Sequence, residues 1–392
     1  NTTGASNTAV GRAALTANTT ASNNTAVGYN AGTAVTTGTQ NVLVGSLSGD
    51  AITTGDNNVA LGYEALTANT VGDRSTALGN FALKSQNPAT NTDMYNVAIG
   101  HNAGGDVTTS IYNTLVGGLA GDSLTTGGYN VAIGTDSLGG EDTGRKNVAI
   151  GAYALLVQNS DVDNFNTAVG YFAGGAVTTG VRNTLIGGLA GDALTAGQDN
   201  VVMGKSALSA ETSGARSVAI GSNSLTAQNV GSGTAVYNTA VGYDAGYAIT
   251  TGLENTLIGG FAGDAITDAD SNVAIGFESL TTNVLGSKSV AVGQGSLSNQ
   301  NPATAADMYN VGVGYNAGAN ITTGTQNTII GALAGDALTS SNDNTAVGYR
   351  ALSNATTGNE NTAMGHTALF TNILSDRNVA IGVDALSVHN QA

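Results

Sequence analysis

A polar residue, a β-branched residue, a small residue, an aliphatic residue and a glycine follow one another in this chain, and the quintet returns from end to end. Its commonest form is Asn-(Thr/Val)-Ala-(Val/Ile)-Gly; it occurs twenty-two times, with glycines from Gly11, Gly28 and Gly45 to Gly382. Seventeen of the twenty-one gaps between those glycines are 17 residues, and the other four are 21, 19, 21 and 21. Aliphatic residues two apart, many of them β-branched, have the period of a half-buried strand. A glycine in every turn argues against helix, where each costs about 1 kcal/mol relative to alanine. One short strand per repeat, closed by a glycine in a conformation that side chains disfavour, predicts a parallel β-solenoid of about 22 coils. The fold class is all-β, and residues 1–392 are read as one elongated repeat domain.

The alternation places Val97 and Ile99, or Val131 and Ile133, inside the coil and the intervening Ala98 and Ala132 outside. The residue four before the glycine is Asn in nineteen copies and Ser75, Ser217 or Ser289 in the other three. Stacked coils would set Asn24, Asn41, Asn58, Asn96, Asn113, Asn130 and Asn147 above one another at about the 4.8 Å strand spacing, as a structural hydrogen-bonded ladder.

Four kinds of coil recur in fixed order. Four residues after the glycine, two kinds carry Gly (Gly32, Gly104; then Gly49, Gly121) and two carry Leu (Leu66, Leu138; then Leu83, Leu155). Where Leu is missing, an aliphatic residue follows three positions later, as in Val35, Ile52, Val107 and Leu124. The second kind also replaces its central Ala by Leu43, Leu115, Leu185, Leu257 or Ile329. On the expected orientation these residues face outward, and an outward aliphatic row suggests contact with another chain. All four longer gaps follow the fourth kind, which places protruding loops near 84–95, 156–165, 226–237 and 298–309. They contain Gln86, Asn87 and Pro88; Gln158 and Asn159; Gln228 and Asn229; and Gln300, Asn301 and Pro302, the candidate recognition residues. Harmless insertion in a shaft is the competing reading.

Composition narrows the function. Only 10% of residues are charged, Asp and Glu outnumber Lys and Arg by 27 to 11, and no basic stripe exists to neutralise phosphate, so no nucleic-acid partner is expected. Cysteine is absent, which excludes disulfides and thiolate metal sites. No apolar run approaches the roughly 20 residues of a membrane span, so no direct membrane insertion is expected. The chain opens on Asn1-Thr2-Thr3-Gly4, and both ends fall within the repeat, as in a piece of a longer protein.

Asp50, Asp122, Asp192, Asp264 and Asp336 occupy equivalent places in the second kind of coil. They are weak candidates for a divalent cation and better ones for capping their own turns. Arg74, Lys146, Arg216 and Lys288 form a basic rung that surface ion pairing explains. Aromatic residues gather before the Asn (Tyr95, Tyr112, Tyr129) and after the glycine (Tyr29, Tyr63, Tyr171), as edge packing or a sugar-stacking surface. His101, His366 and His389 share no recurring Ser or Asp partner, and no nucleotide-binding or metalloprotease motif occurs, so neither catalysis nor a cofactor is expected.

The segments Asn96-Val97-Ala98-Ile99-Gly100, Asn147-Val148-Ala149-Ile150-Gly151 and Ser217-Val218-Ala219-Ile220-Gly221 resemble the head repeat of YadA-type trimeric autotransporter adhesins. Similar coils occur in phage tail-fibre proteins that end in an intramolecular chaperone. The resemblance covers essentially the whole chain, although the 17-residue coil is longer than the adhesin family's usual repeat and the four-coil order with loops is additional. It implies a left-handed parallel β-roll, a homotrimer, an extracellular place on a virion tail fibre or cell surface, and attachment to a host-surface glycan or protein. The expectation is the rigid shaft or head of a phage tail fibre. A bacterial trimeric surface adhesin is the alternative. A monomeric solenoid offering Thr36-Thr37, Thr53-Thr54, Thr108-Thr109 and Thr125-Thr126 to ice is a second.

Overall fold

A computed structural model describes residues 2–231, 233–371 and 374–388. The chain is a parallel β-solenoid, without helix among the described residues, and it divides into two units, Asn1–Gln198 and Asp199–Ala392. Each unit holds eleven coils, and each coil contributes one three-residue strand, such as Val97–Ile99, Thr114–Val116 and Val131–Ile133. Neighbouring strands pair in parallel with like positions opposed: Val97 with Thr114, Ala98 with Leu115, Ile99 with Val116. Outside the strands, backbone bonds still link consecutive coils, for example Leu66 N–H to the Ala82 carbonyl at 3.0 Å and Ala68 N–H to the Lys84 carbonyl at 3.0 Å. The turns owe their path to residues at positive φ, three in the coil of Asn58: Asn57 at 60°, Glu64 at 52° and Leu66 at 55°. Such conformations cost side-chain-bearing residues about 1–2 kcal/mol each and persist because the inter-coil bonds enforce them.

The strand-ending glycine is required twice over. Gly62 has φ of 139°, and a Cβ added there would stand 2.5 Å from the carbonyl oxygen of Gly79 in the next coil. The backbones of successive coils meet at this corner with no room for a side chain.

The strand faces are reversed from the sequence expectation. The central residue points inward: Ala98, Ala132, Leu43, Leu115, Leu185, Leu257 and Ile329 are fully buried. Val97, Ile99, Val131 and Ile133 lie on the outer face instead. The physical reason is the width of the coil. The interior is so thin that small residues, including Ala31, Ser48, Ala65 and Ala82, fill most of it.

This reversal explains the four-coil order as core packing. Where Gly32 and Gly49 replace leucine, a Cβ would meet Leu43 Cδ1 at 2.6 Å and Leu43 Cδ2 at 2.7 Å respectively. The large central residue of the second coil therefore fills the space that two successive glycines leave, and Val35 and Ile52 complete the plug. Coils of the third and fourth kinds restore Leu66 and Leu83, both buried, and return to a central Ala60 or Ala77. The Leu43, Leu115, Leu185, Leu257 and Ile329 row is thus interior and makes no contact with another chain.

Candidate functional site

Twelve polar and charged positions show how the inserted loops are held, beginning with the asparagine ladder that they interrupt. Asn24, Asn41, Asn58, Asn96, Asn113 and Asn130 are buried, each with its side-chain oxygen accepting the N–H of the residue one coil later; Asn24 to Asn41 is 2.9 Å and Asn41 to Asn58 is 2.9 Å. The side-chain amide donates to a carbonyl 14 residues on, as Asn24 does to Gly38 at 2.9 Å and Asn58 to Gly72 at 2.9 Å. Each rung thus saturates backbone groups that a three-residue strand cannot pair.

The serine exceptions coincide with the loops. Ser75, Ser217 and Ser289 stand in the coils that precede the 21-residue gaps. There Gln86 donates to Ser75 Oγ at 2.9 Å, Gln228 donates to Ser217 Oγ at 2.9 Å, and Ser289 donates to Gln300 at 3.0 Å. The glutamine oxygens in turn accept from Asn96, Asn238 and Asn310. A serine and a longer carboxamide together replace the missing asparagine amide and carry the ladder past the insertion. At the 19-residue gap Asn147 is retained, and its side-chain nitrogen is buried without a partner among the described residues. Gln158 there donates to Glu141 at 2.9 Å instead.

Glu141 and Glu211 are fully buried carboxylates. Glu141 accepts from Gly144 N–H at 2.7 Å, Gln158 at 2.9 Å and Asn164 at 3.0 Å; Glu211 accepts from Gly214 N–H at 2.7 Å and Gln228 at 3.1 Å. Each also receives a longer bond from the loop backbone, from Ser160 and Val230 N–H at 3.4 Å. The equivalent positions in the other two loops are Asn69 and Asn283, and the residues in place of Ser160 and Val230 are Pro88 and Pro302. Proline has no N–H to offer, so a carboxamide closed on its own turn, Asn69 with Gly72 at 2.9 and 3.0 Å, suffices.

These contacts redraw the candidate recognition surface. Gln86, Gln158, Gln228 and Gln300 are buried framework residues, and so are Pro88 and Pro302. Exposed are Asn87, Asn159, Asn229 and Asn301, and the loop tips, for example Ala89 and Thr90 or Asp161 and Val162. The chain rejoins the solenoid through short parallel pairings, Gly72–Asp73 with Thr92–Asp93 and Gly286–Ser287 with Ala306–Asp307. The basic rung sits at this junction. Arg74 pairs with Asp93, Lys146 with Asp163 at 2.6 Å and Lys288 with Asp307 at 2.6 Å. The same cations lie over Tyr95, Phe165 and Tyr309, and Arg216 over Tyr237 at 5.6 Å.

The aligned aspartates serve the frame. Asp50 accepts from Thr67 at 2.5 Å, Asp264 from Thr281 at 2.6 Å and Asp336 from Ser353. Asp122 faces the coil that carries Gly139 where the others carry a hydroxyl. Burial raises the carboxyls of Asp122, Asp192 and Asp264 above their ordinary 3.8, and Asp192 Oδ1 is buried without a partner among the described residues. No group of three metal-ligating side chains occurs among the described residues. His101 packs on Phe81 at 5.7 Å and His366 on Tyr349 at 5.5 Å, while His389 lies outside the described residues.

Two exposed features remain. The outer strand face carries paired rows of Thr or Val and of aliphatic residues, with Leu61 43% and Ile133 37% exposed in one unit and Met203 39% and Ile330 39% in the other. Tyr95, Tyr112 and Tyr129 stack as a column with centroids 5.3 and 5.1 Å apart. No helix among the described residues is long and apolar enough to cross a membrane. No protein-family model matches the chain, and no curated protein does. The glutamates were missed in the sequence because they interrupt no pattern visible in one coil. Their signal is the glutamine one coil later, which occurs at that position only where an insertion follows.

Proposed function

We propose that the chain is the rigid shaft or head of a homotrimeric attachment fibre of the phage tail-fibre kind, outside the cell, whose surface meets a host glycan or protein. The observation that carries this reading is the outer strand face. A strand face bearing Leu61, Leu78 and Ile133, each more than a third exposed, with Ile99 and Val116 between them, is costly to leave in water, since covering what remains is worth roughly a third of the about 1.5–3 kcal/mol that full burial of such a side chain brings. Soluble monomers rarely expose apolar rows of this regularity. Two further copies packed around the same face would cover them, and the resemblance of the repeats to trimeric adhesins and tail fibres points to that number. Threefold assembly also triplicates each weak contact made by the loops.

A bacterial surface adhesin uses the same architecture and differs in what flanks it. An ice-facing monomer is less well supported, because Thr36, Thr53, Thr108 and Thr125 already donate their hydroxyls to carbonyls of the next coil.

Light scattering on the purified chain tests the assembly. The expected mass is three times that of the 38.5 kDa chain. Leu61→Glu together with Ile133→Glu should give a folded monomer with unchanged circular dichroism. A monomeric parent chain would remove the trimer and leave the apolar face without an occupant.

A further inference from the structure

The second loop borders a glycine–arginine pair that the sequence places beside no other loop. Six residues before each coil's glycine, the row reads Met94, Ile111, Gly128, Arg145 and then Asn164. Gly128 is the one glycine and Arg145 the one arginine at this position anywhere in the sequence. The missing side chain opens a hollow of about 270 Å³ between Ile111 and Arg145, with Tyr129 in its wall. A second hollow of about 460 Å³ adjoins it, bounded by Thr143, Asp161, Val162 and Asp163, and the two share Thr126 and Arg145. They form one groove running from the end of the tyrosine column to the loop.

Its chemistry is mixed in a particular way. Arg145 is exposed and, unlike Arg74 and Lys146, makes no ion pair among the described residues. Asp163 is held by Lys146, and among the described residues Asp161 accepts one hydrogen bond, from Thr143 at 2.7 Å, which leaves it further acceptor capacity. A guanidinium that donates, a carboxylate that accepts and hydroxyls that do both match adjacent sugar hydroxyls, each of which is donor and acceptor at once. Tyr129 ends its column: the next coil has Lys146 at that place, and its ammonium lies over Phe165 at 4.8 Å. The aromatic surface beside the groove suits the apolar face of a pyranose ring. With the lone Arg145 offset by Asp161, the lining is near charge balance, which disfavours a polyanion.

We propose that this groove binds a neutral saccharide, with Arg145 and Asp161 bridging adjacent hydroxyls and Tyr129 against the ring. The site deepens the attachment reading and rests on it only for the source of the sugar, a host-surface polysaccharide. The test is calorimetric titration of the full chain with gluco-, galacto- and manno-configured trisaccharides, with a heparin oligosaccharide as the anionic probe. At least one neutral trisaccharide should bind, and Arg145→Ala and Tyr129→Ala should each weaken it tenfold or more. Lys288→Ala, at another loop, should leave binding unchanged, and all three variants should keep the parent melting temperature. Failure of every neutral trisaccharide, equal binding by the variants, or binding of heparin alone overturns the proposal. A chain that stays trimeric and still adheres to cells after such a failure sinks the groove and spares the attachment reading.

Discussion

Adding one carbon at Gly62 forces it against the Gly79 carbonyl, whereas a Cβ at Gly118, three coils further on and one residue past that coil's strand-ending glycine, meets nothing within 4 Å. Gly62→Ala should therefore cost about 3 kcal/mol or more, while Gly118→Ala should stay within about 0.5 kcal/mol, both read from urea denaturation. Aspartates give a second residue-scale expectation. Burial raises Asp122, Asp192 and Asp264 above 3.8, so the folded chain binds their protons more readily than the unfolded one. Their ionisation then subtracts stability as pH rises from 3.8 through the raised values, and acidification restores it. Replacing all three by Asn should raise the melting temperature near pH 7, with the gap to the parent closing towards pH 4. A gap that widens on acidification would show that these carboxylates are stabilised as anions.

At the scale of the coil and its loop, the buried acceptor and the loop backbone act as one device. Glu211→Asn alone leaves one Gln228 N–H and the Val230 N–H without their acceptor, and Val230→Pro alone removes a donor from a buried carboxylate. Each should destabilise by about 1–3 kcal/mol. Together with Val236→Met they recreate the set Asn69, Pro88 and Met94 of a loop of equal length, and the combined cost should fall below the sum of the parts. Strict additivity would show that the two positions are independent. This coupling also marks the limit of what the sequence discloses. The period, the parallel strand and the asparagine positions are legible because they repeat in every coil. The strand orientation was misread because Val and Ile flanking Ala ordinarily mark the buried side. Here the coil is too thin to hold two such rows, and Leu43 turns inward only to meet Gly32 and Gly49. The loop glutamines read as exposed because insertions usually are, and only the partners of Gln86 and Gln158 reveal them as framework.

Over the whole chain, the fixed order of coil kinds makes the four-coil block an exchangeable part. Deleting residues 29–100 joins Gly28 to His101, and deleting 101–170 joins Gly100 to Tyr171; both junctions preserve the succession of packing types. Both proteins should fold with parent-like circular dichroism and equal oligomeric state. Sugar binding should survive the first deletion and vanish with the second, which removes Gly128, Tyr129 and Arg145. Retained binding in the second would place the sugar elsewhere. The asparagine ladder has a consequence of another sort, in the time order of synthesis. The side-chain oxygen of Asn24 awaits the amide of Asn41, and that of Asn41 awaits Asn58, each 17 residues later in the chain. On the ribosome, each finished coil with an asparagine rung therefore holds an open acceptor for a partner not yet translated, and the wait is 17 residues except where a loop lengthens it. Structure can advance behind the point of synthesis as a travelling front, so the nascent protein never exposes more than a coil or two of unpaired strand to its neighbours on the polysome.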